Sequence, residues 1–411
     1  MSTAPDIISL GCRLNIAESE AIRVLVGNRN CVVVNSCAVT NAAVSETRSA
    51  IRRLRRERPD AQIIVTGCAA QIDPASFAAM PEVDRVVGNV EKLSPESWSC
   101  DDPVLVGDIM SARNTAAAAS ASFIGHARAF VEVQNGCDHR CTFCVIPFGR
   151  GNSRSVPAGA VIDRMLALTE AGYREIVLTG VDLTSYGPDL PGAPTLGLLV
   201  ERVLRLVPQL ERLRLSSLDS IEIDDRLFDL LTSEPRVMPH VHLSLQSGDD
   251  MILKRMKRRH SRAQSLALID RLKTARPEIA IGADFIAGFP TETDEMAANS
   301  RALIVEAGIV HGHIFPYSPR AGTPAARMPQ LAPAVRKARA ASLRAAVAAA
   351  RAPWLASLVG SPQQILVERS GTRGHAPGFA EVRWTDAAAP GDICTVQVTG
   401  VDGDRLVGEV L

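Results

Sequence analysis

Three cysteines within eight residues dictate how at least one loop of this chain must close: Cys137, Cys141 and Cys144, in Gly136-Cys137-Asp138-His139-Arg140-Cys141-Thr142-Phe143-Cys144. Thiolates on a Cys-x3-Cys-x2-Cys spacing can grip three irons of a [4Fe–4S] cluster, which leaves the fourth iron without a protein ligand. An open coordination position marks a site for chemistry, because a small molecule must complete the shell. A zinc site would want a fourth Cys or His, and His139 is badly placed for that task since the loop must already turn around it. Unrelated buried thiols are the plainer alternative.

A second set of thiols lies in the first third of the chain. Cys12 follows Ile7-Ile8-Ser9-Leu10-Gly11, Cys37 follows Cys31-Val32-Val33-Val34-Asn35-Ser36, and Cys68 follows Ile63-Ile64-Val65-Thr66-Gly67. Each run is short and β-branched, and helical patterns such as Ala17 to Val26 and Ala43 to Arg56 lie between them. That alternation predicts a parallel sheet with crossover helices. All three cysteines then sit just past strand C-termini, the edge of an open α/β sheet where ligands gather. Small buried residues at strand ends explain the same pattern without a ligand.

At 411 residues, 46% hydrophobic and 22% charged, the chain has room for two or three ordinary globular domains. No apolar run reaches the roughly eighteen residues of a membrane span. The opening Met1-Ser2-Thr3-Ala4-Pro5-Asp6 lacks the basic and apolar regions of a signal peptide, so a cytoplasmic enzyme with no membrane partner is expected. In that compartment the nine cysteines read as metal ligands or free thiols rather than disulfides. The 45 basic and 45 acidic residues cancel, so any nucleic-acid partner must be held by local patches. Arg48-Ser49-Ala50-Ile51-Arg52-Arg53-Leu54-Arg55-Arg56-Glu57-Arg58 and Lys254-Arg255-Met256-Lys257-Arg258-Arg259 are the candidates, although either alone reads equally as a solvated helix face.

Around residues 95 to 125 the pattern dissolves into small and polar residues, which read as a linker. From Ala127 to about residue 330, apolar runs recur at Phe130–Val133, Glu175–Leu178, Leu213–Leu215, His242–Leu245, Ala280–Ile286 and His313–Phe315, with helical stretches between. Six βα units predict a partial parallel barrel whose site lies at the C-terminal strand edge. Thr179-Gly180-Val181-Asp182, Ser216-Ser217, Gln246-Ser247-Gly248 and Gly288-Phe289-Pro290-Thr291-Glu292-Thr293 all fall on that edge. Gly180 would let a ligand approach bare backbone, while Ser217 and Gln246 offer donors and acceptors to a ribose or carboxylate. Each alone could as well cap a helix. An Ala/Arg-rich helix over 334–352 follows, and beyond Pro353 short strands with Gly, Asp and Pro turns predict a small β-barrel.

The flanks of these motifs carry a resemblance. Val133-Gln134-Asn135-Gly136-Cys137 through Cys144-Val145-Ile146-Pro147 and Arg150-Gly151-Asn152-Ser153-Arg154-Ser155 resemble the radical S-adenosylmethionine methylthiotransferases, as do Leu243–Gly248 and Phe315–Ala325. Gly11-Cys12-Arg13-Leu14-Asn15, Asn35-Ser36-Cys37-Ala38-Val39-Thr40 and Thr66-Gly67-Cys68-Ala69-Ala70-Gln71 are similar to the three cysteine motifs of that family's N-terminal domain.

The resemblance implies an α/β protein in three parts: an N-terminal sheet domain over 1–120, a partial (β/α)6 barrel over 121–353, and a TRAM-like RNA-binding barrel over 354–411. It implies two [4Fe–4S] clusters, one on Cys137, Cys141 and Cys144 and an auxiliary one on Cys12, Cys37 and Cys68. S-adenosylmethionine would be held by Gly180, Ser217 and Gln246 and cleaved to a 5′-deoxyadenosyl radical. Cys31, Cys100 and Cys394 match no motif and read as structural. Arg369, Arg373, His375, Phe379, Arg383 and Trp384 could contact RNA.

The opening motif, with Glu18-Ser19-Glu20 and Thr66 to Pro74, is most similar to the type that methylthiolates C2 of N6-threonylcarbamoyladenosine 37 in tRNA. The implied partners are the tRNA anticodon loop and a flavodoxin- or ferredoxin-like electron donor, with the enzyme a monomer. The same chemistry on isopentenyladenosine 37 or on a ribosomal-protein aspartate is the neighbouring expectation. A non-catalytic iron–sulfur sensor that binds RNA is the expectation from another class.

Overall fold

The computed structural model describes residues 5–113, 115, 123 and 125–411; the start Met1–Ala4 and most of the expected linker between 114 and 124 lie outside the described residues. The N-terminal unit is a five-stranded parallel sheet in the order of the chain: β1 (Asp6–Ser9), β2 (Cys31–Ser36), β3 (Gln62–Gly67), β4 (Arg85–Val87) and β5 (Val104–Leu105). Every residue of β2 is buried because both faces are covered. Val32 and Val34 meet Ile51 and Leu54 on one side. Val33 meets Ile22, Val26 and Trp98 on the other. The helix Asn41–Glu57 starts under Thr40, whose hydroxyl accepts from the Ala43 amide at 3.1 Å. The linker was expected to begin near residue 95, yet Pro95–Trp98 forms a short 3-10 turn and β5 completes the sheet beyond it. Burial of Trp98 in the sheet's core holds that segment in place.

The central unit carries six parallel strands where the six apolar runs lie: β6 (Ala129–Asn135), β8 (Glu175–Gly180), β9 (Arg212–Leu215), β10 (His240–Gln246), β11 (Ala280–Ala287) and β12 (Ile309–Pro316). The short β7 (Arg154–Ser155) pairs antiparallel on the free edge of β6. Two sheets, β7-β6-β8-β9 and β10-β11-β12, are joined by parallel bridges at Leu213–Val237 and Leu218–Leu243, giving a partial barrel. Alternate residues face outward into one continuous core, where Val241, Leu243, Ile281 and Phe285 pack with Leu199, Leu272 and Leu303. Several of the other alternate positions face the lumen with polar side chains: Glu175 with Arg214, His240 with His311, and His242 and His313 with Asp284.

The Ala/Arg-rich helix runs over Pro333–Ser357, four residues beyond the expected stop at Pro353. Leu355, with Trp354 and Leu358 beside it, enters the core of the C-terminal barrel, and that packing carries the helix past the proline. That barrel is closed, in the order β13 (Pro362–Val367), β14 (Arg373–His375), β15 (Glu381–Arg383), β17 (Arg405–Val410) and β16 (Ile393–Asp402). It docks under the lumen. The β14–β15 loop presents Phe379 against His240, stacked at 5.2 Å between ring centroids. Arg214 donates to the Pro377 and Ala376 carbonyls at 2.8 and 3.0 Å. His375 and Phe379 stack on each other and Trp384 is buried, so these three are not the RNA-stacking surface expected of them. Arg369 and Arg373 remain exposed.

Candidate active site

Two of the cysteine motifs are shaped by backbone that glycine adopts readily. Gly67, the last residue of β3, sits at φ +93°, where a Cβ would lie 2.3 Å from the Ser36 carbonyl oxygen. Cys68 can therefore open the helix Cys68–Ile72 directly above β2. Gly136, at φ +72°, would place a Cβ 1.9 Å from the Asn152 carbonyl oxygen, and it turns the chain off β6 into Cys137.

Cys12 precedes the helix Arg13–Val26 and Cys37 follows β2. Burial raises the Cys12 thiol and pushes Cys37 up to about 11, and the charges of the other motif thiols add to both shifts. The Cys137–Cys144 loop behaves alike. Burial raises Cys137, with Asp182 adding to it, and pushes Cys144 up to about 12. Thiols gathered in threes, desolvated and mutually repelling as thiolates, are the donor set that an iron–sulfur cluster neutralises. Amide donors already reach two of the sulfurs, Val39 N to Cys37 Sγ at 3.5 Å and Ile146 N to Cys144 Sγ at 3.4 Å. Both sets fit such a group.

The two sets face each other. Cys144 also feels the charge of Cys68, and a Cβ on Gly149 would lie 3.1 Å from Cys68 Cβ. Between them runs Arg150, 2% exposed, at the end of the helix Ile146–Arg150. Its guanidinium donates to Cys68 Sγ at 3.0 Å, to Asn15 Oδ1 at 3.0 Å and to both carboxylate oxygens of Glu18. Lys92 donates to the same carboxylate at 2.7 Å.

A model of the radical SAM superfamily matches residues 131–304, and one described as uncharacterized protein family UPF0004 matches residues 6–88. The threonylcarbamoyladenosine tRNA methylthiotransferase MtaB of Rickettsia prowazekii is 48% identical over 97% of this chain and 95% of its own length. This chain belongs to the radical SAM tRNA methylthiotransferases. The MtaB of Bacillus subtilis is 37% identical, over 78% of this chain and 74% of its own length. The tRNA-2-methylthio-N(6)-dimethylallyladenosine synthase of Cereibacter sphaeroides is 33% identical over 98% of this chain and 97% of its own length. Among solved structures, the radical S-adenosylmethionine methyltransferase TsrM of Kitasatospora setae shares the fold at a TM-score of 0.53 and 18% identity, over 76% of this chain and 66% of that one.

In this methylthiotransferase Gly180, Ser217 and Gln246 all reach the strand-end rim that holds Cys137. Gly180 ends β8, where a Cβ would lie 3.0 Å from the Gln134 carbonyl. Ser217 follows β9 and Gln246 ends β10 at φ +69°. The basic runs are less free than their sequence suggests. Arg55 and Arg58 pair with Asp84 and Asp6, and Arg258 and Arg259 pair with Asp219 and Glu222. Sequence reasoning passed over the rim contacts of His139, whose Nε2 lies 2.9 Å from Asp182, and the lumen layer of His242, Asp284 and His313. The lumen had a readable signal, since His240-x-His242 and His311-x-His313 place polar residues at period two in otherwise apolar strands. Among the described residues no helix is long and apolar enough to cross a membrane.

Proposed function

We propose that this chain adds a methylthio group to C2 of N6-threonylcarbamoyladenosine at position 37 of tRNA. The observation that carries the reading is the pair of three-thiol sets facing each other at the rim of a barrel whose lumen is polar. Cys137, Cys141 and Cys144 hold the cluster with the open iron, and Cys12, Cys37 and Cys68 hold the auxiliary cluster. Gly180, Ser217 and Gln246 orient S-adenosylmethionine on the rim. When bound, these groups supply one-electron cleavage of the sulfonium and transfer of the methylated sulfur.

The chain's own part is to hold geometry and exclude water. Thr142 anchors the cluster loop: its hydroxyl donates to the Arg255 carbonyl at 2.8 Å, its amide donates to the Met256 carbonyl at 3.1 Å, and its carbonyl accepts from the Ala325 amide at 2.9 Å. The Arg150 network fixes the N-terminal unit against the barrel, and so fixes the spacing of the two sets. An anticodon-loop base leaves its stack at a cost of a few kcal/mol, which lets the rim receive an extruded adenine. We place the enzyme in the cytoplasm as a monomer, reduced by a flavodoxin- or ferredoxin-like donor.

Nucleoside mass spectrometry on tRNA from a strain lacking this gene tests the reading. Loss of 2-methylthio-N6-threonylcarbamoyladenosine, restored by wild type and not by Cys141→Ala, is the expected result. Loss of a 2-methylthio-isopentenyladenosine species instead would move the substrate to the prenylated base. No change in either nucleoside would remove tRNA as the target.

A further inference from the structure

The lumen beneath the rim holds one cation more than its internal partners satisfy. Three guanidiniums gather on the Phe379 ring, with Arg214, Arg128 and Arg13 at 5.0, 5.3 and 5.8 Å from its centroid. Arg128 and Arg214 both reach Glu175 at 2.9 Å, and Arg128 also reaches Glu368 at 2.7 Å. The Arg13 guanidinium makes no hydrogen bond and no ion pair among the described residues. Burial and the two neighbouring guanidiniums work against its charge, while Glu175 and Asp284 favour it only from a distance.

A partly desolvated guanidinium between two others is completed by an anion, and its planar fork of donors matches a carboxylate two-to-two. On the layer of β10, β11 and β12 nearer the rim, Asp284 Oδ1 meets His242 Nε2 at 3.0 Å and His313 Nδ1 at 3.2 Å, and the two rings lie 4.5 Å apart. His313 is 61% exposed, so this layer opens to solvent. An adenine whose C2 faces the rim can direct its N6 substituent down this lumen. A threonylcarbamoyl group offers a carboxylate, a hydroxyl and a urea to such walls, whereas a prenyl group would leave the same polar groups desolvated and unpaired.

We infer that Arg13 is the specificity-determining residue, pairing with the carboxylate of the N6-threonylcarbamoyl group, and that the His242–Asp284–His313 layer meets the rest of that substituent. The inference rests on the substrate reading above. Arg13 follows Cys12 directly, so one turn of chain both supplies a thiol and reads the substrate.

The test measures binding of synthetic anticodon stem-loops to the reconstituted holoenzyme. The probes carry N6-threonylcarbamoyladenosine, its methyl ester, or N6-isopentenyladenosine; the proteins are wild type, Arg13→Lys and Arg13→Gln, with iron content measured for each. Wild type should prefer the free acid over the ester by about 10- to 100-fold, the scale of one charge-assisted hydrogen-bonded contact. Arg13→Gln should lose that preference at unchanged iron content, and Arg13→Lys should keep part of it. If wild type binds acid and ester alike, the inference falls even should Arg13→Gln fail to fold. An unchanged acid-over-ester preference in Arg13→Gln also overturns it, and leaves the substrate reading standing. Preference for the prenylated probe overturns both.

Discussion

Replacing Arg150 by Gln tests whether one buried ion network holds the two cysteine-bearing units in register. Glu18 is 0% exposed; burial alone would raise its carboxyl, but Arg150 and Lys92 overrule burial and hold it down to about 2. Removing Arg150 strands this carboxylate on Lys92 alone and deletes the contacts to Asn15 and Cys68. Breaking a buried pair by removing one partner costs roughly 3–5 kcal/mol, and because Lys92 remains, about 3 kcal/mol is expected. The assay is urea unfolding of the iron-free protein, with amide exchange followed in β1–β3 and the helix Arg13–Val26. A double variant, Arg150→Gln with Glu18→Gln, should cost less than the sum of the singles by about 2 kcal/mol, because either change alone already breaks the Arg150–Glu18 pair. A loss under about 1 kcal/mol for Arg150→Gln, or strictly additive losses, would refute the network as the clamp.

Other outcomes follow from the same geometry. Cys141→Ala should halve the iron content and abolish 5′-deoxyadenosine formation, whereas Cys68→Ala should halve the iron yet keep that cleavage while losing methylthio transfer. Gly67→Ala forces a Cβ against the Ser36 carbonyl at positive φ and should destabilise the N-terminal unit by about 1–3 kcal/mol, read from its urea midpoint. Burial, with Arg351 behind it, holds His311 down to about 3, while its Nε2 lies 2.9 Å from the Gly378 carbonyl. An unfolded histidine titrates near 6.5, so the unfolded chain takes up the proton first as pH falls. Stability is full above about pH 6.5 and declines toward the folded value by up to about 1.4 kcal/mol per pH unit. His311→Gln should flatten the urea midpoint between about pH 7 and about pH 5, and an unaltered slope would count against a neutral His311 at this joint.

Much of this molecule was legible along the chain because its signals are local. Six apolar runs at strand spacing mark six parallel strands, and Cys12, Cys37, Cys68 and Cys137 all fall just past strand ends. What escaped depends on distance in sequence. Asn15 and Arg150 stand 135 positions apart, and no pattern near either one marks their contact. Arg13 reads as the first residue of a helix until the barrel is placed beneath it. The two-residue β5 is too short for periodicity, and helix continuation through Pro353 is set by a core belonging to another unit. The resemblance to an RNA-binding barrel assigns the C-terminal aromatics to RNA, whereas docking turns Phe379 and His375 toward each other and toward His240.

That docking limits how the protein can be rebuilt. Because the β14–β15 loop supplies the floor of the barrel lumen, the C-terminal appendage is also a wall of the chamber beneath the rim. Grafting a relative's C-terminal barrel onto this chain would exchange that wall, and the chimera would keep the packing of this lumen only if the graft supplied equivalents of Phe379 and of the carbonyls met by Arg214. The lumen and the C-terminal barrel are therefore one inheritance unit, not two interchangeable cassettes.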